Sequence, residues 1–126
     1  MTTQAHDIAS VTVLVVCADR NFQRYARAVL VQDGHQVFIT AMSAADVAVQ
    51  VRLRSPQVIV VDVDHECADE ARAACGRIAV VEVSDEPGAA GGATVGKWEG
   101  GPALVDAVER AVVIARRRSL LRIVRP

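Results

Sequence analysis

The sequence predicts a three-layer α/β domain, a five-stranded parallel sheet covered by helices on both faces. Three observations carry that expectation. Short β-branched runs, such as residues 11–17 and 57–63, show no polar alternation, which marks strands buried on both faces. Stretches with apolar residues at spacings of three and four separate them, as amphipathic helices do. Strand and helix then alternate along the whole chain, the pattern of right-handed crossovers between parallel strands.

The first strand reads Val-Thr-Val-Leu-Val-Val-Cys over residues 11–17. Asp19 and Asn21 supply capping chemistry, and Phe22, Tyr25, Ala26, Val29 and Leu30 line the first helix, which Gly34 stops. Residues 35–41 form the second strand. Ser43 caps a helix over residues 44–53 whose apolar face includes Val47 and Val51, and Pro56 closes the unit. The third strand, residues 57–63, ends in acid at Asp62 and Asp64. A short helix over 66–75 stops at Gly76, and residues 77–84 make the fourth strand. Residues 86–93 are glycine-rich and carry no helical period. A brief strand follows at 94–96, then a long helix with Pro102 in its first turn and Leu104, Val105, Val108, Ala111 and Val112 on one face.

Composition bounds the function. The chain has 126 residues, 52% hydrophobic and 3% aromatic, with Val (23) and Ala (21) dominating, enough for one core of small side chains. A net charge of -1 argues against direct nucleic-acid binding driven by bulk charge. No apolar run approaches the roughly 18 residues of a membrane span, and residues 1–10 lack a signal peptide's basic and apolar regions. The expectation is a cytoplasmic protein with no membrane association. Three cysteines, Cys17, Cys67 and Cys75, make a disulfide framework improbable, with Cys75 and Cys17 read as small buried hydrophobes. Thirteen of the 14 basic residues are Arg; Lys97 is the one lysine.

Five strands in so short a chain favour the flavodoxin-like order 2-1-3-4-5, whose sites lie beyond the carboxyl ends of the strands. That rule gathers Cys17-Ala18-Asp19, Asp62-Val63-Asp64, Ser84-Asp85 and Lys97 into one neighbourhood. These positions carry a family resemblance. The run from Val13 to Arg24 resembles the opening of a response-regulator receiver domain (CheY-like). Pro56-Gln-Val-Ile-Val-Val-Asp62 resembles its phosphoacceptor strand, and Val80-Val-Glu-Val-Ser84 the strand ending in its switch hydroxyl. The resemblance implies Asp62 at the acceptor position, with Ser84 and Lys97 as the groups that contact a phosphoryl. It also implies two acids at the end of the first strand that bind Mg²⁺ with the acceptor.

The acid pair falls instead on Cys17 and Ala18, neither of which offers hard Mg²⁺ an oxygen, and Asp19 stands one residue late. The expectation is therefore an atypical, pseudo-receiver domain with no metal and no cofactor, non-enzymatic, signalling through protein contacts. Two alternatives stay open: a two-component receiver phosphorylated on Asp62 with Mg²⁺, and a small-ligand sensor. Only 22 residues separate Asp62 from Ser84, and 13 separate Ser84 from Lys97, so the fourth helix is expected to be shortened or missing. Glu82 would then face an open side rather than a buried one. Trp98 follows Lys97 where the family usually has proline, so the lysine loop is expected to differ in shape.

Asp62, Asp64, His65, Glu66 and Cys67 read as a satisfied loop cluster, because successive strand residues point in opposite directions. From Gly101 onward six arginines face two acids, a local charge of +4, with Leu120, Leu121, Ile123 and Val124 beyond the usual end of a receiver. The expected organisation is a flexible N-terminus (1–10), a receiver-like domain (11–117) and a basic, apolar extension or linker (118–126). The expected partner is a signalling protein or output domain, and the last strand and last helix form the candidate homodimer face.

Overall fold

The computed structural model describes residues 10–86 and 94–124, with side chains as far as residue 120. Its elements are β1 (Thr12–Val16), α1 (Arg20–Gln32), β2 (Gln36–Thr40), α2 (Ala44–Arg54), β3 (Val58–Asp62), α3 (Ala68–Ala74), β4 (Ala79–Ser84), β5 (Val95–Gly96) and α4 (Gly101–Val124). One sheet runs β2-β1-β3-β4-β5 with every neighbouring pair parallel. This is the flavodoxin-like order expected from the sequence.

The pleat sends alternate residues of the buried strands to opposite faces. Val13, Val15, Val58, Val60, Val81 and Val83 pack with Phe22, Ala26 and Leu30 of α1 and with Leu104, Val108 and Val112 of α4. On the other face Leu14, Val16, Ile59 and Val61 meet Val47 of α2 and Ala71 of α3. Full burial of a Phe or Leu side chain contributes about 1.5–3 kcal/mol, and Phe22, Leu14 and Leu30 are the largest side chains that reach it. Two-sided burial is why the strands read as unbroken apolar runs.

Caps set the boundaries. Asp19 accepts N–H bonds from Asn21 (2.8 Å) and Phe22 (3.4 Å) at the start of α1, and Ser43 accepts from Asp46 at the start of α2. Gly34 leaves α1 at a φ of 95°, a conformation glycine reaches without strain. The fourth strand begins at Ala79 rather than at Arg77, because Gly76 (φ 64°) and an Ile78 N–H bond to Cys75 O hold those residues in a turn.

Four helices are present among the described residues; between β4 and β5 only residues 85, 86 and 94 are described, and they are not helical. Residues 87–93, on which the expectation of a shortened or missing fourth helix rests, fall outside the described residues, as do residues 1–9 of the expected flexible N-terminus. Glu82 is accounted for by a partner: its carboxylate meets the Arg72 guanidinium of α3 at 2.9 Å. At the other end, α4 continues unbroken through Arg118 to Val124, so the segment set apart from residue 118 is helical as far as it is described. No helix among the described residues is long and apolar enough to cross a membrane.

Candidate functional site

Parallel pairing brings the ends of β1, β3, β4 and β5 to one edge. Asp62 closes β3 opposite Val83, Ser84 closes β4 opposite Gly96, and the Lys97 N–H donates to Ser84 O at 2.8 Å. The Lys97 ammonium therefore reaches back across the edge. Its Nζ lies 2.9 Å from Asp62 Oδ2, 3.1 Å from Asp64 Oδ2 and 3.8 Å from Asp85 Oδ2. Lys97 and Asp62 are almost wholly buried, with side chains 4% and 7% exposed. Burial by itself would lower the lysine pKa; the hydrogen bonds and charges of Asp62 and Asp64 outweigh it and hold the ammonium above its ordinary value.

Asp64 had no separate role in the sequence; both its carboxylate oxygens are satisfied, as the loop-cluster expectation has it, but by partners on β4 and the lysine loop. Its Oδ1 accepts the Ser84 hydroxyl at 2.6 Å and its Oδ2 accepts the Asp85 N–H at 2.7 Å. Its own N–H donates to Asp62 Oδ1 at 3.0 Å, a side-chain turn that fixes where the second carboxylate points. Desolvation works to raise the Asp64 pKa, but the Ser84, Asp85 and Lys97 contacts prevail and keep it below the ordinary carboxylate value. The available signal was the Asp62-x-Asp64 spacing itself.

Cys17 lies at the same edge rather than being only a core filler. Its thiol is 3.5 Å from Asp62 Oδ2, and its sulfur accepts the Asp19 N–H at 3.3 Å. Burial pushes the thiol up to about 11, against the pull of the Asp19 N–H, and the neighbouring Asp62 adds to the rise. At neutral pH it is a protonated donor. Ala18 is exposed and contributes no polar side-chain atom. Asp19 spends Oδ1 on the α1 cap, and Gln23 of α1 donates to the Cys17 carbonyl.

The lysine loop is fastened to α1. The Trp98 ring stands edge-on to Phe22, 85° between planes with centroids 5.7 Å apart, and lies 5.4 Å from Tyr25. Gly96 donates its N–H to Glu99 Oε1 at 2.6 Å, closing the turn beneath Lys97.

Other candidates separate from this edge. His65 Nδ1 accepts the Cys67 N–H at 3.0 Å in a local turn, and the buried Cys75 thiol donates to Ala71 O. Asp33, His35 and Glu109 bring possible ligand atoms within 4.8 Å of one another. There His35 Nδ1 accepts the Val11 N–H at 3.2 Å, which leaves the proton of the neutral ring on Nε2, 2.9 Å from Asp33 Oδ2.

No protein-family model and no curated protein sequence matches the chain. Solved structures do. NtrX from Brucella abortus superposes with a TM-score of 0.77 at 18% identity, over 92% of this chain and 29% of that one. The N-terminal domain of a response regulator/sensory box/GGDEF protein from Carboxydothermus hydrogenoformans gives 0.72 at 18% identity, over 86% and 98%. The PhyR response-regulator REC domain of Erythrobacter litoralis gives 0.69 at 14% identity, over 83% and 92%. The fold is that of a receiver domain. This chain spans about three-tenths of the length of NtrX but nearly the whole of the isolated receiver domains. Within the receiver fold, Cys17-Ala18 follows β1, β3 ends in Asp62 and β4 in Ser84, and Lys97 follows β5.

Proposed function

We propose that this chain is an atypical receiver domain that signals through protein–protein contacts without Mg²⁺-dependent phosphorylation of Asp62. The carrying observation is the side-chain chemistry at the end of β1, where a receiver needs oxygen ligands. Cys17 presents a protonated thiol, Ala18 a methyl group, and the Asp19 carboxylate caps α1. Asp62 Oδ2 is already engaged by the Lys97 ammonium. These residues do not fit Mg²⁺, which requires near-octahedral oxygen coordination. Without a cation to offset charge building on a transferred phosphoryl group, Asp62 is a poor acceptor.

On this reading Asp62, Ser84 and Lys97 retain the acceptor, switch and phosphate-contact positions as a structural set. The partner is a signalling protein or an output domain, in the cytoplasm, and the domain has no catalytic role of its own. The face built by β5 and α4 is the surface offered, including to a second copy of the chain. Exposed Val113, Ile114 and Leu120 on α4 support that assignment. The receiver-like domain is residues 11–117, and residues 118–126 are a basic, apolar extension or linker.

The test is an NMR titration of the chain with millimolar Mg²⁺ plus a phosphoryl mimic such as beryllofluoride. The amides of Asp62, Ser84 and Lys97 are expected to stay in place. A saturable shift at all three would establish the phosphorylatable receiver instead.

A further inference from the structure

We propose that the Asp64 carboxylate occupies the place of a phosphoryl group and holds Ser84 and Lys97 permanently in the arrangement that a modified Asp62 would otherwise impose. The proposal rests on the reading of this edge as a receiver site that is not phosphorylated. Three donors converge on the two Asp64 oxygens. The Ser84 hydroxyl reaches Oδ1 at 2.6 Å, and the Asp85 backbone N–H and the Lys97 ammonium reach Oδ2 at 2.7 and 3.1 Å. A hydroxyl, an ammonium and a backbone N–H at the end of β4 form an oxyanion cradle. Here the oxyanion is supplied in cis, on a side chain whose backbone is pinned to Asp62 by the 3.0 Å Asp64 N–H bond.

The consequences extend past the edge. The Ser84 hydroxyl donates to Asp64 and its oxygen accepts the Glu86 N–H at 3.1 Å, so its orientation fixes the exit of β4. Lys97 is followed by Trp98, which packs on Phe22 and Tyr25 of α1. A carboxylate that holds Ser84 and Lys97 together thus also sets the position of the β5–α4 loop relative to α1. The domain would then present one output surface independent of any phosphoryl donor.

Asp64→Ala tests this, with Asp64→Asn as the companion that keeps the size and one acceptor oxygen but removes the charge. The chain's one tryptophan, Trp98, reports by fluorescence, and amide exchange at Asp85 and Glu86 reports on the cradle. In Asp64→Ala those two amides are expected to exchange at least tenfold faster than in the unsubstituted chain. The Trp98 emission should shift, and resonances of Ser84, Lys97 and the first turn of α4 should move while those of β1 stay. Ser84→Ala removes the acceptor of the Glu86 N–H and leaves the Asp85 N–H on Asp64 Oδ2, so it should speed exchange at Glu86 with less effect at Asp85. Exchange within twofold of the unsubstituted chain, with changes confined to residues 63–66, would overturn the proposal. If Asp64→Ala fails to fold, the same criteria apply to Asp64→Asn. A beryllofluoride response of the unsubstituted chain would defeat the unphosphorylated reading separately, whatever the Asp64 variants do.

Discussion

Lys97→Met removes the ammonium while keeping an unbranched apolar stem of similar length, so it isolates the charge. Asp62 would keep the Asp64 N–H on Oδ1 at 3.0 Å, but Oδ2 would retain only the weak thiol contact of Cys17 at 3.5 Å. The carboxylate is 7% exposed, too buried for water to replace the lost partner. Breaking a buried ion pair from one side costs about 3–5 kcal/mol because an uncompensated charge remains. For a chain of this length roughly 4 °C of melting temperature accompanies each kcal/mol, so the midpoint should fall by about 12–20 °C. Urea unfolding followed by far-UV circular dichroism measures the loss directly, with an unchanged slope confirming that only stability moved. Asp62→Asn should cost less, about 1–3 kcal/mol, since Lys97 keeps Asp64 at 3.1 Å. Combining the two should cost less than their sum, because the stranded charge is gone. A Lys97→Met loss below about 1 kcal/mol would mean the pair behaves as a hydrated surface contact, and the buried-pair reasoning would fail.

Asp19→Ala should destabilise the chain by about 0.5–2 kcal/mol through loss of the α1 cap, read as a shift in the urea midpoint. The Cys17 thiol is raised by burial from its ordinary 9.0 to about 11. A raised folded-state pKa gives stability that is complete below the unfolded value and is lost as pH climbs through the folded one. The unsubstituted chain should therefore lose on the order of 2 kcal/mol between about pH 9 and 11. Cys17→Ala should flatten that part of a thermal-melt pH series; an unchanged alkaline slope would place its cause elsewhere. The double substitution Cys17→Asp with Ala18→Asp restores oxygen ligands beside Asp62 and should make the Asp62 and Lys97 amides respond to millimolar Mg²⁺. Silence in that variant would count against the receiver geometry of the edge.

Much of the fold was legible because two-sided burial leaves a direct trace in sequence. The runs at β1 and β3 could belong only to strands covered above and below, and Asp19, Ser43, Gly34 and Gly76 marked where the chain turned. The site was legible in position but not in connection. Strand-end reasoning gathers Asp62, Ser84 and Lys97, yet it cannot say which carboxylate the serine hydroxyl chooses. That choice depends on the side-chain turn in which Asp64 N–H meets Asp62 Oδ1, a local geometry with no periodicity. Cys17 illustrates the same limit. Apolar patterning makes it a core residue, which it is, and strand-end reasoning puts it at the edge, but neither shows its sulfur meeting both Asp62 and the Asp19 N–H. Trp98 offered only a departure from the usual proline, and its packing against Phe22 and Tyr25 needed the register of α1 to be known.

The charge balance at the edge favours a neutral thiol and a methyl group at positions 17 and 18. One ammonium lies within 4 Å of three carboxylates, those of Asp62, Asp64 and Asp85. Two further acids at positions 17 and 18 would leave that single lysine facing five negative groups, a repulsion that only a divalent ion could offset. With Cys17 neutral and Ala18 apolar, the excess is confined to Asp64 and Asp85. Their side chains are 35% and 61% exposed and therefore hydrated, while the most deeply buried of the three carboxylates, Asp62, holds the 2.9 Å contact. Lys97, Cys17 and Ala18 are thus one electrostatic solution. With no acid at positions 17 and 18, Lys97 is sufficient as the buried cation, and a substitution that places acids there is expected to need a divalent ion with them.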